Sequence, residues 1–290
     1  MFEFTITVLG LLIGSFANVC IWRIPRGEEI VRTPSHCPAC GAGIRWFDNL
    51  PVLGFLLLLG RCRRCHARIP WRYPAVELAS AALFLSLALR FGPDWRLAGY
   101  IPFAWSLLVI SAIDIERYII PDELTYAGTG GGVAFAVAAL FLPGIALTLP
   151  GAAPGWRFGP LLDSVAGLAA GGGLIALVAW LGRLWYRQEA MGGGDVKLAA
   201  MIGAVLGWQG ALLAIFIGMV SGALAGLLLL ALGRTKTTRE LNETVYAGQP
   251  GAGPVAPKAA VPFGPFLALG ALAALFCGPA LLSWYAGLLR

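Results

Sequence analysis

Charged residues are scarce in this sequence: they make up 12% of its 290 residues, whereas hydrophobic residues make up 58%. A soluble globular domain carries roughly 25% charged residues, so the composition excludes that class. A helix needs about 20 apolar residues to cross the hydrocarbon core of a bilayer. Eight candidate runs predict an all-α polytopic membrane protein embedded in the lipid bilayer. They cover approximately residues 4–22, 74–91, 98–115, 122–142, 162–183, 195–209, 211–233 and 262–286.

The first apolar run lacks the basic segment and the small-residue cleavage pattern of a secretory signal, so we predict an uncleaved anchor. Lys and Arg concentrate in the cytoplasmic loops of membrane proteins. With the N-terminus outside, 17 of the 21 Lys and Arg residues are cytoplasmic, which predicts that both termini face the periplasm or cell exterior. The net charge of +6 then reflects topology, and we predict no nucleic-acid partner. The four exceptions are Arg90, Arg96, Arg157 and Arg290.

Residues 23–73 interrupt the membrane pattern. They hold nine arginines, both histidines and four of the six cysteines, and they predict a small cytoplasmic domain between the first and second spans. The apolar stretch from Leu50 to Leu59 is too short to cross a bilayer. It is better interpreted as a hairpin or an element lying on a surface.

The cytoplasmic domain contains an internal repeat with an offset of 25 residues, in which Cys-x2-Cys-x3-Ile-x-Trp occurs twice. The cysteines are Cys37 and Cys40 in the first copy and Cys62 and Cys65 in the second. Two such pairs can present four thiolates to one tetrahedral ion, which favours a zinc site. The 21 residues between the pairs slightly exceed the usual spacing of roughly 15 to 20, so the intervening hairpin must absorb the excess.

Two disulfides or two redox-active dithiols are the alternatives for these cysteines. Cytoplasmic placement argues against stable disulfides. His36 and His66 adjoin cysteines and could replace a ligand, although we expect them on the surface. Cys20 and Cys277 lie alone in apolar spans, where cysteine behaves as a small hydrophobic residue.

Among 15 acidic residues, most lie at outer interfaces, as Asp163 does, or in cytoplasmic loops, where they need no special explanation. Six lie near the cytoplasmic ends of spans. Asp114 ends the third span and Asp195 begins the sixth, so both are predicted on the same side of the membrane, where they could meet. An ionisable group at such a depth is costly and suggests a function. Two carboxylates at one site can hold a protonated acid beside a base, as aspartyl peptide hydrolysis requires.

Structural roles remain open for three of these acidic residues. Asp195 follows three glycines and could be the N-cap of a helix. Asp122 follows Pro121 and is expected to be the N-cap of the fourth span. Glu77 is expected in the first turn of the second span, where the helix dipole favours a negative charge.

Six ordered motifs resemble those of the bacterial type IV prepilin peptidases, which are bifunctional leader peptidases and N-methyltransferases of the Gly-x-Gly-Asp aspartyl protease class. The resemblance extends over most of the chain. The motifs are Gly14–Pro25, Pro34–Cys40 with the second cysteine pair, Arg72–Glu77, Asp114–Thr125, Gly192–Leu198 and Pro262–Phe266.

This resemblance implies that Asp114 and Asp195 are the catalytic pair. The implied substrate is a type IV prepilin or a pseudopilin, cut after a glycine at the cytoplasmic face of the inner membrane. The new N-terminal residue, usually Phe, would be methylated with S-adenosylmethionine as the donor. Partners would be the type IV pilus or type II secretion machinery. The supporting residues of the catalytic segments would be Gly192, Gly194, Lys197 and Asp122.

The resemblance also implies a division of the chain. Residues 1–22 would form the first transmembrane helix, residues 23–73 the zinc-binding domain with the methyltransferase part, and residues 74–290 the transmembrane peptidase domain. Retention of all four cysteines favours the two-activity form, with zinc in a structural role. Candidates for methyl transfer are Asn18, Arg23, Asn49, Arg72 and Glu77, although their spacing forms no known donor-binding loop.

Helix polarity predicts different roles for the two aspartates. Asp195 starts a helix, where the dipole favours charge, whereas Asp114 ends one, where the dipole disfavours it. We therefore predict Asp195 as the base and Asp114 as the proton donor, with each role switching during turnover.

Two other classes of protein compete with a peptidase. A proton-coupled transporter also uses paired intramembrane carboxylates, but transporters commonly show internal repeats, and no duplicated halves are visible here. A nonenzymatic zinc-bearing scaffold of a secretion system would explain the cysteines but would leave Asp114 and Asp195 unexplained.

Overall fold

A computed structural model describes residues 1–142, 144–149, 156–186, 192–232 and 261–288. The described residues form α-helices, two short 3-10 helices and two isolated β-bridges, which confirms the all-α prediction. The 3-10 helices are Ile24–Arg26 and Trp46–Asn49. The α-helices are α1 Phe2–Arg23, α2 Leu53–Leu57, α3 Arg72–Phe91, α4 Leu97–Arg117, α5 Asp122–Ala138, α6 Gly159–Tyr186, α7 Gly193–Ala231 and α8 Gly264–Leu288.

Six helices of the described residues are long and apolar enough to cross a membrane, namely α1, α3, α4, α6, α7 and α8. The eight expected spans differ from these six at two places. Helix α5 has 17 residues, which gives a length of about 26 Å, slightly less than the hydrocarbon core of about 30 Å. The sixth and seventh expected spans both lie within α7, which has 39 residues.

Helix α7 reverses direction at Gly207, whose backbone is non-helical with φ of 77° and ψ of 177°. A Cβ atom on Gly171 of α6 would contact the carbonyl of Ala199 and would lie 3.5 Å from the Cβ of Ala211. Ala199 and Ala211 are twelve residues apart, and a straight helix would separate them by about 18 Å. Both can lie beside Gly171 only if the chain folds back between them. The two expected spans are therefore two antiparallel arms of α7.

Neighbouring segments provide hydrogen-bond partners for the backbone groups at the turn of Gly207. Asp163 of α6 is 5% exposed, and its carboxylate accepts hydrogen bonds from the Trp208 N–H and the Thr148 hydroxyl. The Leu149 N–H donates to the Leu206 carbonyl at 3.1 Å. Irregular backbone at membrane depth persists only where protein groups satisfy it. The expectation that Asp163 needs no special explanation was therefore wrong.

We expect Asp163→Ala to lower the unfolding midpoint in detergent, because it removes the buried carboxylate that accepts the hydrogen bond of the Trp208 N–H. Loss of one partner of a buried hydrogen bond costs about 1 to 3 kcal/mol of unfolding free energy. Asp163→Asn keeps a side-chain oxygen that can accept the bond, so it is the matched control. Equal midpoints for the alanine and asparagine variants would contradict this role.

The chain forms two compact units, Met1–Val109 and Ile110–Arg290, whose boundary lies inside α4. In the first unit α1 packs against α3 at Gly10 and Gly14, where an added Cβ would lie 2.8 Å from a backbone Cα of α3. In the second unit α7 packs against α5, α6 and α8. Gly218 lets α7 approach the backbone of α8 at Phe266 and Leu267, as expected of small residues at interfaces between membrane helices.

Candidate active sites

Asp114 lies in the last turn of α4 and is 5% exposed. Its Oδ2 accepts a hydrogen bond of 2.9 Å from the N–H of Gly264, the first residue of α8. A Cβ on Gly264 would lie only 2.6 Å from that oxygen. Gly264 therefore provides both a hydrogen-bond donor and the space for the carboxylate. The Pro262–Phe266 motif contains this residue, but its pattern alone assigned no role to it.

The hydrogen bond from Gly264 gives Asp114 a different electrostatic environment from the one expected from its own helix. The first N–H groups of a helix have no partner within the helix, and they form the positive end of its dipole. Asp114 is near the C-terminal end of its own helix but faces the N-terminal end of α8. The premise that the helix dipole disfavours its charge was therefore wrong, and helix polarity does not distinguish the base from the proton donor.

Asp195 is the third residue of α7, whose N-cap is Gly192. Its Oδ2 accepts a hydrogen bond of 3.2 Å from the Gly192 N–H. Asp195 is therefore not the N-cap, which was one of the roles left open for it, although its side chain still caps the helix from within, as an acidic residue does in a capping box. Asp195 is more exposed than Asp114, and the two lie close enough for the charge of Asp195 to act on Asp114.

The starts of α5 and α7 are joined by an ion pair. Lys197 Nζ lies 2.7 Å from both carboxylate oxygens of Asp122. Asp122 is the first residue of α5 and Pro121 is its N-cap, so the N-cap prediction for Asp122 was wrong by one residue. The pair is partly exposed, at 35% and 52% for the two side chains, and such pairs contribute little to stability. It joins the first residue of α5 to the first turns of α7.

Gly194 completes this packing, because an added Cβ would lie 2.9 Å from the Cβ of Ile120 in the segment before α5. The residues predicted for the peptidase site thus lie at the starts of α5 and α7 and the end of α4. The start of α8 is the one part that sequence interpretation did not assign. All of these residues belong to the unit Ile110–Arg290.

We expect Gly264→Ala to reduce peptide cleavage strongly while the chain still folds. The new methyl group would overlap the Asp114 carboxylate and displace it from the Gly264 N–H. A misplacement of about 1 Å can lower a catalysed rate by roughly 10²-fold. Cleavage rates in detergent provide the measurement, with Gly130→Ala as the control, since an added Cβ there would contact nothing within 4 Å. Unchanged cleavage by Gly264→Ala would show that this contact does not position the aspartate.

The four cysteines of the repeat form one cluster. Their Sγ atoms all lie within 4.8 Å of one another, and the Cys37 and Cys65 Sγ atoms are 3.8 Å apart. Zn–S bonds of about 2.3 Å in a tetrahedral site place sulfurs about 3.8 Å apart. All four thiols are free, so the geometry is compatible with zinc.

The two copies of the repeat have the same backbone conformation. Cys37 N–H donates to Ala42 O and Cys62 N–H donates to Ala67 O, each at 2.8 Å. Gly41 and His66 occupy equivalent positions, and both have positive φ, at 67° and 58°. His36 and His66 are exposed, as expected. Hydrogen bonds from the backbone of Cys65 and Arg64 lower the pKa of Cys62 to about 6, whereas burial and hydrogen bonds to the neighbouring thiols raise the pKa of Cys65 to about 11.

A cavity of about 640 Å³ lies beside the cluster, and its lining includes Cys37, Cys62, Asn49 and Glu77. Glu77 is 7% exposed. Its Oε2 accepts a hydrogen bond of 2.7 Å from the Val52 N–H, and the Ser15 side chain is a second partner. Glu77 is the sixth residue of α3, so its predicted place in the first helical turn was wrong.

The five candidates for methyl transfer do not all meet at this cavity. Asn49 and Glu77 line it. Asn18 is buried and donates from Nδ2 to the Tyr73 carbonyl at 3.0 Å. Arg23 is buried and donates to the carbonyls of Glu29, Ile30, Thr33 and Pro34, which fixes the loop after α1. The Arg72 guanidinium lies 5.1 Å from the centre of the Tyr73 ring.

Known proteins match both parts of the chain. The family described as the Bacterial Peptidase A24 N-terminal domain matches residues 8–91, and the Type IV leader peptidase family matches residues 101–227. The prepilin leader peptidase/N-methyltransferase of Myxococcus xanthus is 33% identical over 96% of this chain and 91% of its own length. This chain belongs to the type IV leader peptidase family. The protein of the same name from Pseudomonas putida is 35% identical over 94% of this chain and 89% of that protein.

In this member of the leader peptidase family, the two matched segments contain different candidate residues. The N-terminal match includes the four cysteines, Asn49 and Glu77, whereas the peptidase match includes Asp114 and Asp195. Gly264 lies beyond both matches, although it donates a hydrogen bond to Asp114. No solved structure matches this chain.

Proposed function

We propose that this protein removes the basic leader of a type IV prepilin or pseudopilin after a glycine and then methylates the new N-terminal residue, usually Phe. The observation that supports the peptidase activity is that Asp114 and Asp195 each accept a hydrogen bond from the start of a helix and lie close enough for the charge of Asp195 to act on Asp114. The names of the relatives, prepilin leader peptidase/N-methyltransferase, support both activities.

Asp114 and Asp195 are suited to general acid–base hydrolysis. One ionised carboxylate removes a proton from a water molecule as that water attacks the scissile carbonyl. The other, protonated, carboxyl donates a proton to the leaving amine, and the two groups exchange roles in the next turnover. Asp195 is the more exposed of the two and is therefore the more accessible to a substrate peptide. Asp114 is held by Gly264, which keeps its carboxylate in one orientation.

In this proposal the active site lies at the cytoplasmic face of a bacterial inner membrane, and both chain termini lie on the periplasmic or exterior side. The support is the distribution of Lys and Arg, because 17 of the 21 are cytoplasmic in this orientation. A prepilin then presents its leader from the cytoplasmic side. The chain would act beside the type IV pilus or type II secretion machinery, which assembles the processed product.

In this proposal the methyltransferase comprises the cysteine domain, residues 23–73, together with Glu77 of α3, and the peptidase comprises the rest of residues 74–290. Zinc would be held by Cys37, Cys40, Cys62 and Cys65, whose sulfur spacing supports a four-cysteine site. Such zinc is structural, because four protein ligands leave no open position for chemistry. S-adenosylmethionine supplies the methyl group.

Detergent-purified protein mixed with a prepilin tests the peptidase proposal against a proton-coupled transporter. Cleavage in detergent requires no membrane gradient, so we expect a shortened product detected by gel electrophoresis. A transporter would leave the prepilin intact in detergent and would move protons in proteoliposomes. Intact prepilin after incubation with folded protein contradicts the peptidase proposal.

A further inference from the structure

The cavity of about 640 Å³ in the unit Met1–Val109 is large enough for a cofactor-sized molecule, because small-molecule sites usually measure roughly 300 to 1,000 Å³. Three kinds of side chain line it. Apolar groups come from Phe55, Leu58 and Ile69, and guanidinium groups come from Arg45, Arg64 and Arg68. The carboxylates are Asp48 and Glu77.

The two carboxylates of the cavity differ in their partners. Arg63 binds both oxygens of Asp48, at 2.8 Å and 2.6 Å, and these hydrogen bonds hold the pKa of Asp48 below its ordinary value. Glu77 is bound instead by neutral donors, the Val52 N–H and the Ser15 side chain. Both of these hydrogen-bond donors to Glu77 are uncharged, so the carboxylate is suited to face a cationic ligand.

S-adenosylmethionine has groups that match this lining. Its adenine ring needs apolar or aromatic surface, its carboxylate needs a guanidinium or ammonium partner, and its sulfonium is a permanent cation. In the cavity, Phe55 can contact the adenine ring and Glu77 can face the sulfonium. The carboxylate can be bound by Arg45, Arg64 or Arg68. We propose that this cavity binds S-adenosylmethionine and that Glu77 supplies the negative charge facing its sulfonium, an inference that rests on the methyltransferase part of the proposed function.

A second cavity, of about 520 Å³, offers a path for the peptide that receives the methyl group. It shares Asn49 with the first cavity, and Ser15, a partner of Glu77, lines it. Its wall also includes Leu12 and Phe16 of α1, which are 52% and 45% exposed on the surface of that helix. An apolar N-terminal residue such as Phe can enter along this surface. Asn49, which lines both cavities, would then contact both the donor site and the peptide path.

The zinc site forms part of the first cavity, because Cys37 and Cys62 belong to its lining. Zinc bound to the four cysteines would hold the two copies of the repeat together and would thereby fix Arg45 and Arg68, which follow the two cysteine pairs. Removal of zinc is therefore expected to weaken donor binding even though the metal takes no part in the reaction.

Isothermal titration of the full chain in detergent tests the site, with S-adenosylmethionine and S-adenosylhomocysteine as the two probes. S-adenosylhomocysteine lacks the sulfonium charge but keeps the adenine ring and the carboxylate. We expect Glu77→Gln to weaken S-adenosylmethionine binding about 10-fold or more and S-adenosylhomocysteine binding less than about 3-fold, because only the first ligand loses an ion pair. Glu29→Gln is the matched control, since Glu29 is exposed and pairs with Arg32.

A second variant tests the location independently of charge. Gly43 lines the cavity, and an added Cβ there would contact nothing within 4 Å. Gly43→Trp should fill the space and abolish binding of both probes, while a zinc content equal to that of the wild type confirms that the cysteine domain is folded. Unchanged binding of both probes by Gly43→Trp, or an equal effect of Glu77→Gln on the two probes, overturns the inference.

The two proposals fail in different ways. If the wild-type chain binds and methylates but the cavity variants bind both probes normally, the donor site is elsewhere and the methyltransferase function stands. If the wild-type chain neither binds the probes nor methylates a cleaved prepilin, the methyltransferase function itself is wrong, and the inference about the cavity fails with it.

Discussion

Asp114→Asn and Asp195→Asn are each expected to lower the rate of prepilin cleavage by roughly 10³-fold or more, because neither the proton donor nor the base has a substitute. Asparagine has nearly the same shape as aspartate. At position 114 its oxygen can still accept the Gly264 hydrogen bond, and at position 195 it can still accept that of Gly192. The loss would therefore report proton transfer rather than misfolding. Initial rates measured over a range of enzyme concentrations provide the comparison.

Asp163→Asn is the matched control for this pair. It makes the same chemical change at a buried aspartate of the same unit, where the carboxylate holds the turn at Gly207 instead of facing the site. We expect its cleavage rate to stay within a few-fold of wild type. Full cleavage by either Asp114→Asn or Asp195→Asn would show that the two aspartates do not act as a pair.

Cys37→Ser and Cys62→Ser are expected to abolish methylation while cleavage continues. The cysteine cluster and the neighbouring cavity lie in the unit Met1–Val109, whereas both aspartates lie in the unit Ile110–Arg290. Serine is a poor zinc ligand, and a structural zinc site contributes folding free energy directly. We therefore expect loss of bound zinc, collapse of the cavity wall and an unmethylated product.

Zinc content and product mass should be measured on the same preparations. Cys277→Ser is the control, because Cys277 is an exposed thiol on α8 far along the chain from the cluster. It should keep both the zinc and the methylated product. A Cys37→Ser variant that has lost zinc but methylates normally would refute a structural role of the metal in methyl transfer.

The spans and the cysteine cluster were predictable because their signals are local. Apolar runs predict membrane helices directly, and the repeated cysteine pattern predicted the four sulfurs that lie within 4.8 Å of one another. The expected break between two spans near Gly207 is confirmed as the turn between the two arms of α7. In each case, neighbouring residues carry the information.

Other features were not predictable because they depend on contacts between distant segments. Gly264 and Asp114 are 150 positions apart, and without their contact the helix polarity argument gave the wrong environment for Asp114. The role of Asp163 depends on Trp208 in another helix. The N-cap error at Asp122 has a local cause, because Pro121 occupies the cap position, as Gly192 does before Asp195. Glycine is a common N-cap, but proline offers no side-chain acceptor.

Mass spectrometry of one prepilin after incubation with the wild-type, Asp195→Asn and Cys37→Ser proteins tests the central claim most directly. The product mass separates cleavage from methylation in a single spectrum. We expect a cleaved and methylated product from the wild type, uncleaved prepilin from Asp195→Asn, and a cleaved but unmethylated product from Cys37→Ser. A cleaved product from Asp195→Asn in wild-type yield would contradict the assignment of the catalytic pair.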